Sequence, residues 1–383
     1  MTRRCTIMKL GILGGGQLAR MMLYKTMRLG IHTTVLDPSP DAPAAHFADR
    51  FVCGSLSDPA AIEAVVGASD VSTYDIEHID TEALLVLENR GMRILPSPAV
   101  LRAIQDKLNQ KQMLEKAGLP VPEFTAPEDP EGFLNKTPFP LVQKSRFGGY
   151  DGRGVAVLKG RQDLKSRLQG PCFFEEYIDF SAELAVMVAR DRNGKVLSYP
   201  VTEMVFDAQA NICDTIIAPA RVDAETAEKA RVIAERAVTA LNGTGVFGVE
   251  LFLARDGRIL VNEIAPRPHN SGHYTIEAAV TCQFEQHIRA VCGYPLGSAE
   301  LLSPAVMINL LGERDASGGP VYEGYEQALA VPGLSIHLYG KKEVKPFRKM
   351  GHITILDKNR DAALEKAGLA RALLKVRGTG KHG

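Results

Sequence analysis

The chain has 383 residues, 45% hydrophobic and 23% charged with no low-complexity tract, which indicates a globular protein of two or three domains. Lysine plus arginine and aspartate plus glutamate balance at 45 each. No net field therefore recruits nucleic acid or an anionic membrane, and any anionic ligand must be held by local charge. The opening MTRRCTIMKLGIL breaks its apolar run at Lys9 and Gly11, and no stretch reaches 18 apolar residues. The expectation is a cytoplasmic chain without signal peptide or membrane span. Six scattered cysteines (Cys5, Cys53, Cys172, Cys213, Cys282, Cys292) form no CxxC pair and read as reduced, small core hydrophobes.

In chain order, MKLGIL (8–13) predicts a strand, GGGQ a turn, and the next segment a helix with Leu18, Met22 and Leu29 on one face and Gly30 at its end. IHTTVLD (31–37) predicts a second strand, DVSTYDIE (70–77) a third, and 81–90 a helix. This alternation points to a parallel, doubly wound sheet of about 100 residues. The prolines of ILPSPAV (94–100) mark a boundary, and a single helix is expected over 101–117, stopping at Gly118. From about 140 the texture turns to hairpins, with Asn-Gly in 189–196 and Asp-Gly in 253–261. Between them 223–241 predicts an amphipathic helix, N-capped by Asp223, with Ala230, Ile233, Ala237 and Leu241 on one face. The tail from about 300 mixes short strands with a final helix. The expected architecture is α/β followed by α+β: an N-terminal domain over 1–96, a large region over 97–295 with a flap-bearing subdomain at about 121–180, and a C-terminal domain over 296–383.

Several motifs carry chemistry. In GILGGGQLAR (11–20) a glycine turn opens a helix, which suits an anion. The spacing is not G-x-G-x-x-G, although Asp37 lies where a ribose-binding acid would, so a plain tight turn and a phosphate contact both stand. QKSRFGGYDGRGV (143–155) lacks the P-loop order and the spaced oxygens of a calcium loop. A lysine followed by four glycines between strands suits a flap that covers phosphates and then releases them. FFEEYI (173–178) ends a strand in two acids, with Glu183 downstream. Glu250 and Glu263 sit in two apolar strands joined by an Asp-Gly turn, with Asn262 beside one of them. Paired carboxylates in such surroundings call for a cation, and Mg²⁺ shared with phosphates is the natural one. Arg267, His269, Asn270 and His273 follow in APRPHNSGHYT, a set suited to a polar substrate, and Lys345, Arg348 and Lys349 form a basic cluster suited to a phosphate monoester.

Taken in order and across nearly the whole chain, GGGQLARMM, TYDIEHI, KSRFGGYDGRG, NEIAPRPHNSGHYT, PAVMINLLG and RKMGH resemble the ATP-grasp superfamily. Within it they are similar to the carboxylating purine-biosynthesis branch, the 5-(carboxyamino)imidazole ribonucleotide synthetase family. The resemblance implies an ATP-grasp fold with a Rossmann-like pre-ATP-grasp domain and a small C-terminal domain. It implies ATP- and bicarbonate-dependent carboxylation of the amine of 5-aminoimidazole ribonucleotide, with Mg²⁺ (Mn²⁺ able to substitute), in a homodimer whose product passes to a separate mutase. By the same resemblance Lys107 and Lys144 bind ATP phosphates under a flap of Gly149, Tyr150, Asp151, Gly152, Arg153, Gly154 and Val155. The backbone of Glu176, Tyr177 and Ile178 meets the adenine, with Glu175 beside it in the nucleotide site, Glu183 meets the ribose, and Glu250 and Glu263, assisted by Asn262, hold the metal. Gln17, Glu77, Arg267, His269, Asn270, Lys345 and Arg348 line the substrate pocket, and catalysis falls to Tyr150, Asp151, Arg153, Lys345 and Glu77. Two departures bear on the nucleotide: Phe206 stands where the family often has histidine, and Lys107 where some members have arginine. A formate- or biotin-directed ligase of the same superfamily, and an NAD(P)-dependent oxidoreductase built on GILGGGQ, are the alternatives.

Overall fold

The computed structural model describes residues 7–149, 154–207 and 212–380. The N-terminal sheet is parallel, in the spatial order Arg50–Cys53, His32–Asp37, Lys9–Leu13, Val71–Tyr74. Its inner strand Lys9–Leu13 is buried beyond Lys9, as a parallel strand covered on both faces must be. Helix Gln17–Arg28 follows, and Gly30 takes a left-handed φ of 64° just past its end. Two elements escape the sequence pattern. Edge strand Arg50–Cys53 is too short for its alternation to register, which makes the expected third strand the fourth. Helix Pro59–Val66 carried only a local signal, an Asp58 cap followed by proline at the first turn.

The one helix expected over 101–117 is two, Pro98–Gln105 and Lys107–Lys116. Asp106 takes extended angles and accepts from the Leu108 N–H at 3.1 Å, which starts the second helix afresh. Arg146 grips the same carboxylate through Nε at 3.1 Å and Nη2 at 2.5 Å, so the break is also a tether.

Arg146 directly follows strand Leu141–Ser145 of a second, antiparallel sheet ordered Phe124–Thr125, Cys172–Glu176, Leu141–Ser145, Val155–Leu158. The large central sheet is antiparallel throughout, running Ile259–Ala265, Gly245–Ala254, Phe180–Arg190, Thr202–Asp207, Ile212–Ala218, Ala305–Leu311, Lys349–Leu356, Leu334–Leu338, with Val196–Ser198 also on Phe180–Arg190. Strands of the tail thus extend the central sheet, because Ala305–Leu311 pairs with Ile212–Ala218. Helix Ala224–Leu241, capped by Asp223, buries Ala230, Ala237 and Leu241 against the sheet. The N-terminal unit joins it through a shared core of Leu18, Met22, Phe284 and Ile288, where helix Gln17–Arg28 meets helix Gln283–Cys292. Cys282 and Cys292 are buried, but Cys53, at the end of the edge strand, is exposed and not core. No helix among the described residues is long and apolar enough to cross a membrane.

Candidate active site

The hairpin at the edge of the central sheet sets Glu250 directly opposite Glu263. The register shifts there: Glu250 faces Glu263 but Leu251 faces Val261, so Asn262 is the extra residue of a bulge. Consecutive strand residues ordinarily point to opposite faces; the bulge lets Asn262 Nδ2 reach Glu250 Oε2 at 3.4 Å beside Glu263. Glu183, diagonal to Glu250 on Phe180–Arg190, shares its face, since Ala185 is the residue opposite Glu250.

Burial, then the charges of Glu263 and Glu183, push the Glu250 carboxyl well above its ordinary range. Burial alone would raise Glu263 too, but the Lys107 ammonium bonded to Oε2 outweighs it and holds Glu263 down. Burial also pushes Glu183 up to about 7. A divalent cation between the paired glutamates would offset both the burial and the repulsion that push Glu250 up, and the donors are hard carboxylate oxygens. Among the described residues no group of three or more His, Cys, Asp or Glu is disposed to hold a metal alone. Two carboxylates plus ligand oxygens is the donor set Mg²⁺ accepts, so the residues fit it.

Lys144, on Leu141–Ser145, donates to Asn262 Oδ1 at 2.8 Å and lies 2.7 Å from Glu175 Oε2. Lys107 and Lys144 therefore converge on the glutamate hairpin from two different elements. Glu175 is 3% exposed, and its side chain lies between Lys111 and Lys144. Glu176 is likewise committed: its N–H donates to Glu123 O at 2.9 Å and its carboxylate meets the Glu123 N–H and Arg258. Ile178 is buried against Leu260, which leaves Tyr177, 40% exposed, as the open side chain of that segment. Phe206 is half-buried on Thr202–Asp207 opposite Cys213, whose thiol feels the charges of Lys349, Glu250 and Glu183.

In the neighbouring polar cluster Glu77 lies 3.1 Å from Arg267 Nη2, and Gln105 fixes its backbone through Glu77 O at 2.7 Å. His269 Nε2 lies 3.4 Å from Glu250 Oε1, which joins this cluster to the paired glutamates. Arg267 Nε, Asn270 Nδ2 and Tyr74 Oη are buried without hydrogen-bond partners among the described residues. Such orphaned groups are costly unless a polar ligand answers them. Lys345 and Arg348 turn instead to Glu343, at 3.1 Å from its carboxylate and 2.7 Å from its carbonyl.

The glycine turn at the first helix is largely satisfied from within. Gly15 N–H donates to Asp37 Oδ2 at 2.8 Å and Ala19 N–H to Asp75 Oδ2 at 3.2 Å. A Cβ at Gly14 would lie 1.8 Å from Asp75 Oδ1, so glycine is required there by the carboxylate. Asp37 is therefore a turn brace, and the oxidoreductase alternative loses its ribose acid. Half-buried Gln17 remains at the helix start.

In the flap, Ser145 N–H donates to Gly154 O at 2.9 Å, and Gly148, Gly149 and Gly154 all have positive φ. Val155 opens the returning strand. Tyr150, Asp151, Gly152 and Arg153 lie outside the described residues. Sequence reasoning missed Gln105, Gln110 and Lys111. Gln110 clamps both the N–H and C=O of Ile264, and Lys111 donates to Val261 O at 2.9 Å. Their signal was helical spacing, since Gln110 and Lys111 stand three and four residues beyond Lys107.

Three family descriptions match the chain: ribonucleotide synthetase preATP-grasp domain over 7–105, ATP-grasp domain over 112–284, and phosphoribosylaminoimidazole carboxylase C-terminal domain over 305–366. The chain is 41% identical to the N5-carboxyaminoimidazole ribonucleotide synthase of Synechococcus elongatus, covering 96% of this chain and 94% of that one. It is 44% identical to the phosphoribosylaminoimidazole carboxylase of Ogataea methanolica, over 91% of this chain but only 66% of the longer relative. Among solved structures it is similar to the N5-carboxyaminoimidazole ribonucleotide synthetase of Thermotoga maritima, with a TM-score of 0.92, 50% identity, and 97% and 100% of the two chains covered. It is also similar to the Aspergillus clavatus synthase in complex with ADP and the aminoimidazole ribonucleotide, with a TM-score of 0.87, 37% identity, and 96% and 98% coverage.

Proposed function

This chain belongs to the N5-carboxyaminoimidazole ribonucleotide synthetase family of ATP-grasp ligases, and on that premise we propose that it carboxylates the amine of 5-aminoimidazole ribonucleotide at the expense of ATP. Bicarbonate is the carbon donor, and ADP, phosphate and N5-carboxyaminoimidazole ribonucleotide are the products. The observation that carries the reading is the register-paired Glu250 and Glu263, with Lys107 and Lys144 converging on them and a glycine flap on the adjoining sheet.

A bicarbonate oxygen attacks the γ-phosphorus in line and ADP leaves, with Lys144 and Arg153 spreading the charge of the transferring group. Mg²⁺ held by Glu250 and Glu263, with Asn262 assisting, supplies further charge neutralisation when bound. Closure of the flap over 149–155 shields the labile carboxyphosphate from water. Decay to CO₂ and phosphate then lets the substrate amine capture CO₂, its proton passing to the departing phosphate. Glu77, Arg267, His269 and Asn270 orient the ribonucleotide, Gln17 approaches its phosphate, and Lys345 and Arg348 join the pocket by releasing Glu343. Glu183 and the backbone of the segment from Glu175 to Ile178 serve the nucleoside. The chain division at 96 and 295, a cytoplasmic homodimer and a downstream mutase extend the same reading.

The test is ADP release with each carbon donor in turn. Turnover dependent on both bicarbonate and the aminoimidazole ribonucleotide is expected. Turnover with formate or with biotin, or none that requires the ribonucleotide, overturns it.

A further inference from the structure

Lys111 belongs to no part of the cleft. Its side chain is 3% exposed, on the helix Lys107–Lys116. Nζ donates to Val261 O at 2.9 Å on the central sheet and lies 3.1 Å from Glu175 Oε1 on the flap-bearing sheet, an ion pair whose angle falls outside hydrogen-bonding geometry. The other oxygen of Glu175 is the one held by Lys144 at 2.7 Å, and Lys144 in turn bonds Asn262 beside the glutamate pair. Two ammonium groups thus share one buried carboxylate.

The charge count decides what this does. Glu175 with Lys144 alone is a neutral pair, and a lysine locked to a buried carboxylate offers little attraction to a phosphate. With Lys111 present, two positive charges and one negative leave one net positive charge. Lys111 is walled off, so that surplus is expressed at Lys144. A buried lysine is expensive to keep, and Lys111 reaches no solvent through which a ligand could use it directly.

We infer that Lys111 is a positioning residue for nucleotide binding, which occupies Glu175 so that Lys144 stays at Asn262 with its charge available to the ATP phosphates. The inference rests on the ATP-dependent reading of the site, and its test separates the two. ADP affinity is measured by calorimetry on the full chain with Mg²⁺, alongside turnover with bicarbonate and the aminoimidazole ribonucleotide, and folding is followed by thermal melting.

Lys111→Met brings the cluster to neutral and is expected to weaken ADP about tenfold or more, with the KM for the ribonucleotide unchanged. Lys111→Met combined with Glu175→Gln restores one net positive charge and leaves no unpaired buried carboxylate, so it is expected to regain most of the lost affinity. It also carries the test where the single variant does not fold. Unchanged ADP affinity in a folded Lys111→Met chain overturns the inference. So does a folded double variant that binds as weakly as the single one, because a purely structural role predicts no recovery. Failure of the unaltered chain to bind ADP overturns it as well. ADP binding without ribonucleotide-dependent turnover sinks the carboxylation reading alone.

Discussion

Glu250 and Glu263 occupy symmetric places in one hairpin and differ only in their neighbours. Lys107 bonds Glu263, whereas Glu250 has Glu183 on its own face and meets Asn262 and His269 at 3.4 Å each. The two therefore answer differently to removal of charge. Glu263→Gln is expected to lower ADP formation by at least about 100-fold while leaving the far-UV circular dichroism unchanged, the order of loss typical when a preorganised electrostatic group is removed. Near-normal turnover would refute its part in the site. Glu250→Gln is neutral without taking up the proton that Glu250 must bind on folding, so its unfolding free energy at pH 7 in EDTA should match or exceed that of the unaltered chain by about 1 kcal/mol. The same variant should lose the rise in melting temperature that Mg²⁺ with ADP confers. The paired carboxylates were legible from the sequence because two apolar strands flanked them and an Asp-Gly turn joined them. Their unequal charge states were not, because Lys107 is 156 positions from Glu263 in the chain.

Among the elements, the flap and the split helix carry the most consequence. Gly154 has φ +85°, and a Cβ there would lie 3.0 Å from Gly149 Cα, so the two strands of the flap close only with glycine at that position. Gly154→Ala is expected to raise the KM for ATP and lower kcat together, while global stability changes by no more than about 1 kcal/mol, since the flap stands apart from the main cores. Steady-state kinetics and a urea titration check both halves. At the other element, Asp106 caps Lys107–Lys116 and receives Arg146 from the flap-bearing sheet. Asp106→Ala should cost about 2 kcal/mol by equilibrium unfolding, from the lost cap and the lost bidentate pair. The sequence pattern showed helical periodicity over 101–117 but concealed the break. An aspartate inside an apolar repeat reads as a solvated position until a partner on another sheet is known.

At the scale of the molecule, the N-terminal sheet and the central sheet are locked at His287. Its Nδ1 accepts the Val246 N–H at 3.0 Å from one sheet, which obliges Nε2 to carry the proton and donate to Thr73 Oγ1 at 2.7 Å on the other. The ring is buried, and burial lowers its pKa from the ordinary 6.5 to about 3. A group depressed in this way contributes stability that is complete above 6.5 and is lost as pH falls from 6.5 toward 3. Unfolding free energy should therefore drop by about 2 kcal/mol from this group between pH 7 and pH 5. His287→Gln should be less stable at pH 7 and lose less on acidification, as guanidinium titrations at the two pH values would show. An equal slope in both proteins would remove His287 from the account. His273 and His352, also buried and depressed, act in the same direction near the tail.

By itself the sequence determined the parallel N-terminal unit, the hairpin that pairs the glutamates, the glycine-rich link between two strands with its lysine, and the order of motifs that places the chain among carboxylating ATP-grasp ligases. Each rests on short-range physics: side-chain period, turn chemistry and the conformational freedom of glycine operate within a few residues. The tertiary structure alone decided who neutralises whom. It turned Glu175 inward to Lys111 and Lys144, made Asp37 and Asp75 braces of the glycine turn, and set the tail strands edge-on to the central sheet. Those outcomes depend on burial and on charges brought together from distant positions, and a local pattern carries no record of either.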